Sequence, residues 1–175
     1  AAHAKELNNP IPAEPVLFIK PSTALVAIGE QLSIPTRLGE CHIETEICIL
    51  IGDKITSDCD RAQAEAAIGG VGVALDLTLR GLQQQLKDKS LPWEKAKAFD
   101  GACPLSEFVS LGKVADLQQL GIKLRQNSHM QQDGNSADML TPVVPLLLYI
   151  SQFFTLIPGD VVLTGTPAGV GPLAV

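Results

Sequence analysis

The sequence predicts a mixed α+β fold, mainly β, and three observations carry that prediction. Short apolar runs rich in Val and Ile recur along the chain, bounded by Gly, Pro and Asp. Helical patterns are few, and strands and helices do not alternate as they do in a doubly wound sheet. With 175 residues, 46% of them hydrophobic and 18% charged, the chain can bury one sizeable core, which argues for a single domain.

Taken in order, residues 1–7 favour helix, and His3 and Glu6 lie three apart on one helical face. Pro10, Pro12 and Pro15 make an extended connector able to carry that first segment as a lid. The expected organisation is a lid segment and connector over 1–15, then one catalytic domain over 16–175, with further chain at both ends. Strands are predicted at 16–19 and 24–28. Residues 41–52, Cys-His-Ile-Glu-Thr-Glu-Ile-Cys-Ile-Leu-Ile-Gly, have the content of one buried strand. Ser57 to Asp60 offers caps for a helix through Ala67, closed by Gly69-Gly70. A second buried strand covers 71–77, and a helix covers 79–87 with Arg80 and Gln83 on one face. Strands follow at 102–109 and 120–125, then a polar, turn-rich stretch at 127–135. A buried helix is expected within 140–157, opened by Ser136 or Asp138. A last strand at 161–164 runs into the glycine-rich Gly165-Thr166-Pro167-Ala168-Gly169-Val170-Gly171.

The strand at 41–52 carries two acids where it should be apolar. A side-chain period of two puts His42, Glu44 and Glu46 on one face, alternate residues roughly 7 Å apart. Carboxylates so close, entering a partly apolar setting, repel unless a cation or donors sit between them. Two readings fit: an edge strand with its polar face in water, or an oxygen-ligand metal site. Glu44, Glu46 and Asp76, on two strands that could pair, would suit Mg²⁺, Mn²⁺ or Ca²⁺ rather than zinc. His42 is either a fourth ligand or a hydrogen-bonding neighbour.

Other constellations are double-edged. His3 with Glu6 is a general base held by an acid, or a solvated surface pair. Lys97, with Asp100, is a substrate clamp or half of an ion pair at a loop. Lys87, Lys89 and Lys95 read as a solvated face. The segment from Thr164 to Gly171 lacks both nucleotide-loop patterns, yet its exposed N–H groups and two hydroxyls could hold a carboxylate. A net charge of −6 leaves no footprint for nucleic acid or anionic lipid. Leu140 to Ile157 is too short, and too punctuated by Pro142 and Pro145, to span a bilayer. Four cysteines without a C-x-x-C pair point to a reduced, cytoplasmic setting.

Six stretches in order resemble the fumarylacetoacetate hydrolase family. They are Ala1-Ala2-His3-Ala4-Lys5-Glu6, Pro15-Val16-Leu17-Phe18-Ile19-Lys20-Pro21, His42-x-Glu44-x-Glu46, and Gly72-Val73-Ala74-Leu75-Asp76-Leu77-Thr78-Leu79-Arg80. Trp93-Glu94-Lys95-Ala96-Lys97-Ala98-Phe99-Asp100 and Pro158-Gly159-Asp160-Val161-Val162-Leu163-Thr164-Gly165-Thr166-Pro167 complete the set. The likeness is greatest to the small acylpyruvate hydrolases, oxaloacetate decarboxylases and isomerases. Asn127-Ser128 stands where the family has Asn-Gly, and Gly81 where many members have Asp.

The resemblance implies a fumarylacetoacetate hydrolase-like β-roll with a few peripheral helices, usually homodimeric. It assigns the divalent metal to Glu44, Glu46 and Asp76, and a catalytic dyad on a lid to His3 and Glu6. Lys97 matches the family lysine, while Arg80, Gln83 and Thr166 match positions lining the substrate pocket. The leading expectation is metal-dependent C–C bond hydrolysis of a 2,4-diketo acid such as fumarylpyruvate or acetylpyruvate. His3 would activate water and Lys97 would stabilise developing negative charge. An oxaloacetate decarboxylase or keto–enol isomerase on the same scaffold is the alternative, and a non-catalytic 2-oxo acid binder the third.

Overall fold

The computed structural model describes residues 12–174. Strands outnumber helices throughout, as the sequence predicts. The longest pairing joins β3 (Thr45–Ile51) to β4 (Ile68–Leu75), antiparallel, with Thr45 opposite Leu75 and Ile47 opposite Val73. The sheet extends from β4 through β6 (Cys103–Leu105) to β1 (Leu25–Ala27) on one side, and from β3 to β10 (Val161–Leu163) on the other. β7 (Val109–Ser110) also pairs with β4. A second sheet of three strands has the order β11 (Gly171–Pro172), β2 (Cys41–Ile43), β5 (Thr78–Leu79). β8 (Gly121–Gln126) and β9 (His129–Asn135) form a separate hairpin.

The predicted single strand over 41–52 is two strands, broken at Glu44, with β2 in one sheet and β3 in the other. Its neighbour does the same: β4 ends at Leu75, and the chain passes through Asp76 and Leu77 into β5. The two crossings are stitched together by the Asp76 N–H, which donates to the Glu44 carbonyl at 2.8 Å, and Leu77 N–H ties the second to Ala102 O, beside β6, at 3.0 Å. Strict alternation therefore fails at one point, and both acids sit there.

Helices pack outside the strands. α1 (Arg61–Ala66) starts at Asp60, whose carboxylate accepts from Gln63 N–H while the Gln63 side chain accepts from Asp60 N–H, a reciprocal cap. α2 (Arg80–Asp88) and α3 (Glu94–Lys97) follow β5, and α4 (Val143–Ser151) covers the large sheet. Gly69 and Gly70 do not close α1 as expected but lie inside β4, where Gly69 meets Gly52 with the room for a Cβ taken by backbone at 3.0 Å. The polar stretch at 127–135 is mostly strand β9. Asn127 and Ser128, at φ of +47° and +69°, make the tight turn before it, and the strand itself is too polar for alternation of side chains to announce. Residues 16–19 form no strand. The apolar run at 140–157 is helical only over α4, and Phe153, Phe154 and Ile157 beyond it are exposed. No helix among the described residues is long and apolar enough to cross a membrane.

Two apolar clusters result. One joins Ile47, Ile49 and Ile51 to Ala64, Leu147 and Ile150; the other joins Cys41, Ile43, Leu77 and Leu79 to Leu86, Ala96 and Cys103. The stretch from Ile43 to Ile47 runs from one to the other, so the two glutamates lie at their junction. Leu147 has no exposed surface. Leu147→Ala should destabilise the fold by about 3 kcal/mol, lowering the melting temperature on the order of 10 °C. A shift under about 2 °C in calorimetry would mean that α4 is not fixed by this packing.

Candidate functional site

Glu44, Glu46 and Asp76 are all buried, at 5%, 5% and 2% exposure. One carboxylate oxygen from each lies within 4.8 Å of the others. Glu44 and Asp76 arrive from the two strand crossings, and Glu46 from the second position of β3. Each acid has a distinct set of partners. Glu44 accepts from Lys97 Nζ at 2.9 Å and is ion-paired with Arg80. Asp76 meets Lys97 Nζ at 2.5 Å through one oxygen and Lys20 Nζ at 2.7 Å through the other. Glu46 accepts the Gly165 backbone N–H at 2.6 Å and pairs with no cationic side chain among the described residues.

This asymmetry sets the proton affinities. Burial alone would raise the Glu44 carboxyl, but the charges of Lys97 and Arg80 outweigh it and hold the value down to about 2. Burial raises Glu46, the charges of Asp76 and Glu44 raise it further, and it reaches about 8. Burial opposes the charge on Lys97, yet Asp76 and Glu44 more than offset that, so the ammonium is held more firmly than usual.

Lys97, at the end of α3, points into the cluster and also donates to Thr78 Oγ1 at 2.7 Å. The alternative of a loop ion pair with Asp100 is therefore not realised; Asp100 lines a separate depression with Leu25 and Gly101. His42 is not a fourth member, because its imidazole bonds Glu40 at 2.9 Å. Of the expected pocket residues, Arg80 donates to Gln83 Oε1 at 2.7 Å, and both border a cleft of about 230 Å³ together with the three acids, Lys97 and Thr166. The glycine-rich segment is placed by β3: Thr164 Oγ1 donates to Ile47 O at 2.8 Å and Thr166 Oγ1 to Thr45 O at 2.9 Å. His3 and Glu6 lie outside the described residues.

Several residues of the site are given no role by spacing or periodicity in the sequence. Lys20 belongs to an extended stretch 56 positions before Asp76, and its ammonium also donates to the Lys97 and Ala102 carbonyls. Gln132, almost fully buried, accepts from Thr45 N–H at 2.9 Å and donates to Thr166 Oγ1 at 2.8 Å and Pro167 O at 3.0 Å. It ties the backbone between the two glutamates to the loop that completes the cleft. Phe18 and Trp93, ring centroids 6.4 Å apart, form an apolar wall. Lys87 borders the cleft too, and so is not merely part of a solvated face.

An all-oxygen donor set, buried, in which Glu46 has no cationic partner among the described residues, fits a hard divalent cation. The raised Glu46 carboxyl has a consequence for the metal-free protein. Its folded value lies above the ordinary 4.5, so the folded state binds a proton that the unfolded chain has released. That contribution is complete below the ordinary value and is lost as pH rises through about 8. With chelator present, melting temperature should fall between about pH 5 and 9, and Glu46→Gln should flatten that fall. An unchanged slope in the variant would assign the pH dependence to other groups.

The sequence profile described as fumarylacetoacetate (FAA) hydrolase C-terminal matches residues 1–174. The chain is 49% identical over 174 residues to oxaloacetate tautomerase YcgM of Escherichia coli (strain K12), covering 99% of this chain and 79% of that protein. A fumarylacetoacetate hydrolase family protein from Yersinia pestis CO92 superposes with a TM-score of 0.97 at 50% identity, over 99% of this chain and 80% of that one. Fumarylpyruvate hydrolase from Pseudomonas aeruginosa, solved in complex with Mn²⁺ and pyruvate, gives a TM-score of 0.91 at 35% identity, over 99% and 76%.

Proposed function

The chain belongs to the fumarylacetoacetate hydrolase family, and from that premise we propose a divalent-metal-dependent enzyme acting on enolisable 2-oxo acids. Its first activity is keto–enol tautomerisation or decarboxylation of oxaloacetate, the reading supported by the 49% identical tautomerase. C–C bond hydrolysis of 2,4-diketo acids is the second reading, supported by the likeness to a fumarylpyruvate hydrolase. The observation that carries both is the convergence of Glu44, Glu46 and Asp76 in one cleft with Arg80, Gln83, Lys97 and Thr166.

The three acids would hold Mg²⁺ or Mn²⁺, with Ca²⁺ a weaker candidate. When bound, the cation supplies Lewis acidity towards the carboxylate and carbonyl of a 2-oxo acid. Arg80, Gln83 and Thr166 offer donors that orient the substrate's oxygens. The Lys97 ammonium, kept charged by its two carboxylate partners, faces the negative charge that grows as a carbon-bound proton leaves. His3, oriented by Glu6, takes the proton from the carbon between the carbonyls, and the proton is returned to the 2-oxo oxygen. Nothing is consumed in that exchange. In decarboxylation the terminal carboxylate leaves as CO₂ and a proton takes its place. In hydrolysis the same base takes a proton from water attacking the distal carbonyl; the C–C bond breaks and the released carbon is reprotonated. Four free thiols, three of them buried, support a cytoplasmic setting. Exposed Phe153, Phe154 and Ile157 support a homodimer.

A panel of oxaloacetate, acetylpyruvate and fumarylpyruvate separates the readings, with ultraviolet enol absorbance and product analysis as the readout. Oxaloacetate is expected to turn over, chelation to abolish the activity, and Mn²⁺ or Mg²⁺ to restore it. Cleavage of acylpyruvates with oxaloacetate inert would promote the second reading, and tight binding without turnover of any member would leave only a binder. His3→Ala should lower turnover at least about 100-fold while divalent affinity stays within about twofold. Parental turnover in that variant would remove His3 from the mechanism.

A further inference from the structure

We propose that Lys87 determines substrate specificity. It takes an anionic group at the end of the substrate remote from the 2-oxo acid, so that diacids are preferred over 2-oxo acids with neutral tails. This deepens the 2-oxo acid reading and rests on it.

Arg80, Gln83 and Lys87 lie at i, i+3 and i+7 of α2 and so form one face of that helix. All three border the cleft. At 1.5 Å per residue the row leads roughly 10 Å along the helix from Arg80, which touches Glu44, to Lys87. The other cations of the site are already committed: Arg80 to Glu44, Lys97 to Glu44 and Asp76, Lys20 to Asp76. Lys87 alone among the cations lining the cleft has no carboxylate within salt-bridge distance among the described residues. Its ammonium lies 6.0 Å from the Trp93 ring centroid, alongside the apolar wall that Trp93 builds with Phe18. A cation beside a low-dielectric wall exerts a field that water screens less than usual. It sits in the last turn of α2, where the helix favours positive charge. The acids at one end of the cleft and an uncommitted ammonium along the same helix face make two poles, matched by a ligand with an anion at each end.

The test compares two ligands that differ only at the tail: oxaloacetate, and 2-oxobutyrate, in which a methyl group replaces the second carboxylate. Calorimetry on the Mn²⁺-loaded full chain carrying His3→Ala, which keeps the metal site and loses turnover, should show tighter binding of oxaloacetate, with the preference shrinking as NaCl rises. Lys87→Met should weaken oxaloacetate binding about 10-fold and leave 2-oxobutyrate within about twofold, while Lys87→Arg retains the preference. Equal losses for both ligands, or none, would overturn the proposal and leave the 2-oxo acid reading intact. Failure of the parent protein to bind either ligand would overturn the 2-oxo acid reading and the role of Lys87 with it.

Discussion

Three carboxylates within 4.8 Å of one another, all out of water, are the electrostatic constraint that the structure around them answers. Two unit charges at such a distance repel by roughly 3 kcal/mol or more even at an effective dielectric of about 20, and each also loses hydration on burial. The chain answers with compensation gathered from distant positions. Lys97 bridges two of the acids, Lys20 and Arg80 take one each, and the backbone N–H of Gly165 serves Glu46. What remains is concentrated on Glu46, whose carboxyl rises while that of Glu44 falls. A hard cation relieves the residue of that imbalance, which links the fold's least comfortable feature to its proposed chemistry.

The fold makes this convergence possible by an irregularity shared between two neighbouring strands. β3 and β4 pair over their whole length in one sheet, and their continuations β2 and β5 pair in another. Glu44 and Asp76 occupy the crossings, where neither sheet claims the side chain for its core. An acid inside either ladder would face an apolar cluster, whereas at the crossing it faces the cleft. The hydrogen bond from Asp76 N–H to Glu44 O holds the crossings in register. Gln132 secures the same place from the other side, since one buried amide fixes both Thr45 and the Thr166 loop. Such outer partners orient a site without touching its ligand.

The cleft itself combines a charged floor with an aromatic wall. Enolisation moves negative charge onto oxygen, and donors fixed in advance stabilise that charge without reorganising. Lys97, Arg80 and Thr166 are each tied to neighbours by hydrogen bonds or ion pairs, so they are fixed in that sense. Phe18 and Trp93 contribute little polarity and reduce the water that would screen them.

By itself the sequence determined the mainly β class, a helix over 79–87 that the structure places one residue later, and the odd chemistry of its acids, since each is a local matter. Glu44 and Glu46 stand out because an Ile-rich run has no use for charge, and Arg80 and Gln83 share a face because helical spacing requires it. Periodicity says which way a side chain points but not what it meets. The break at Glu44 follows from pairing with strands far along the chain, so alternation alone extended one strand across two sheets. Lys20, Lys87 and Gln132 look like an isolated cation, a solvated lysine and a polar loop residue, and only tertiary contacts bring them to the site. Electrostatic compensation is a property of distance in space, and a linear chain does not contain that distance until it folds.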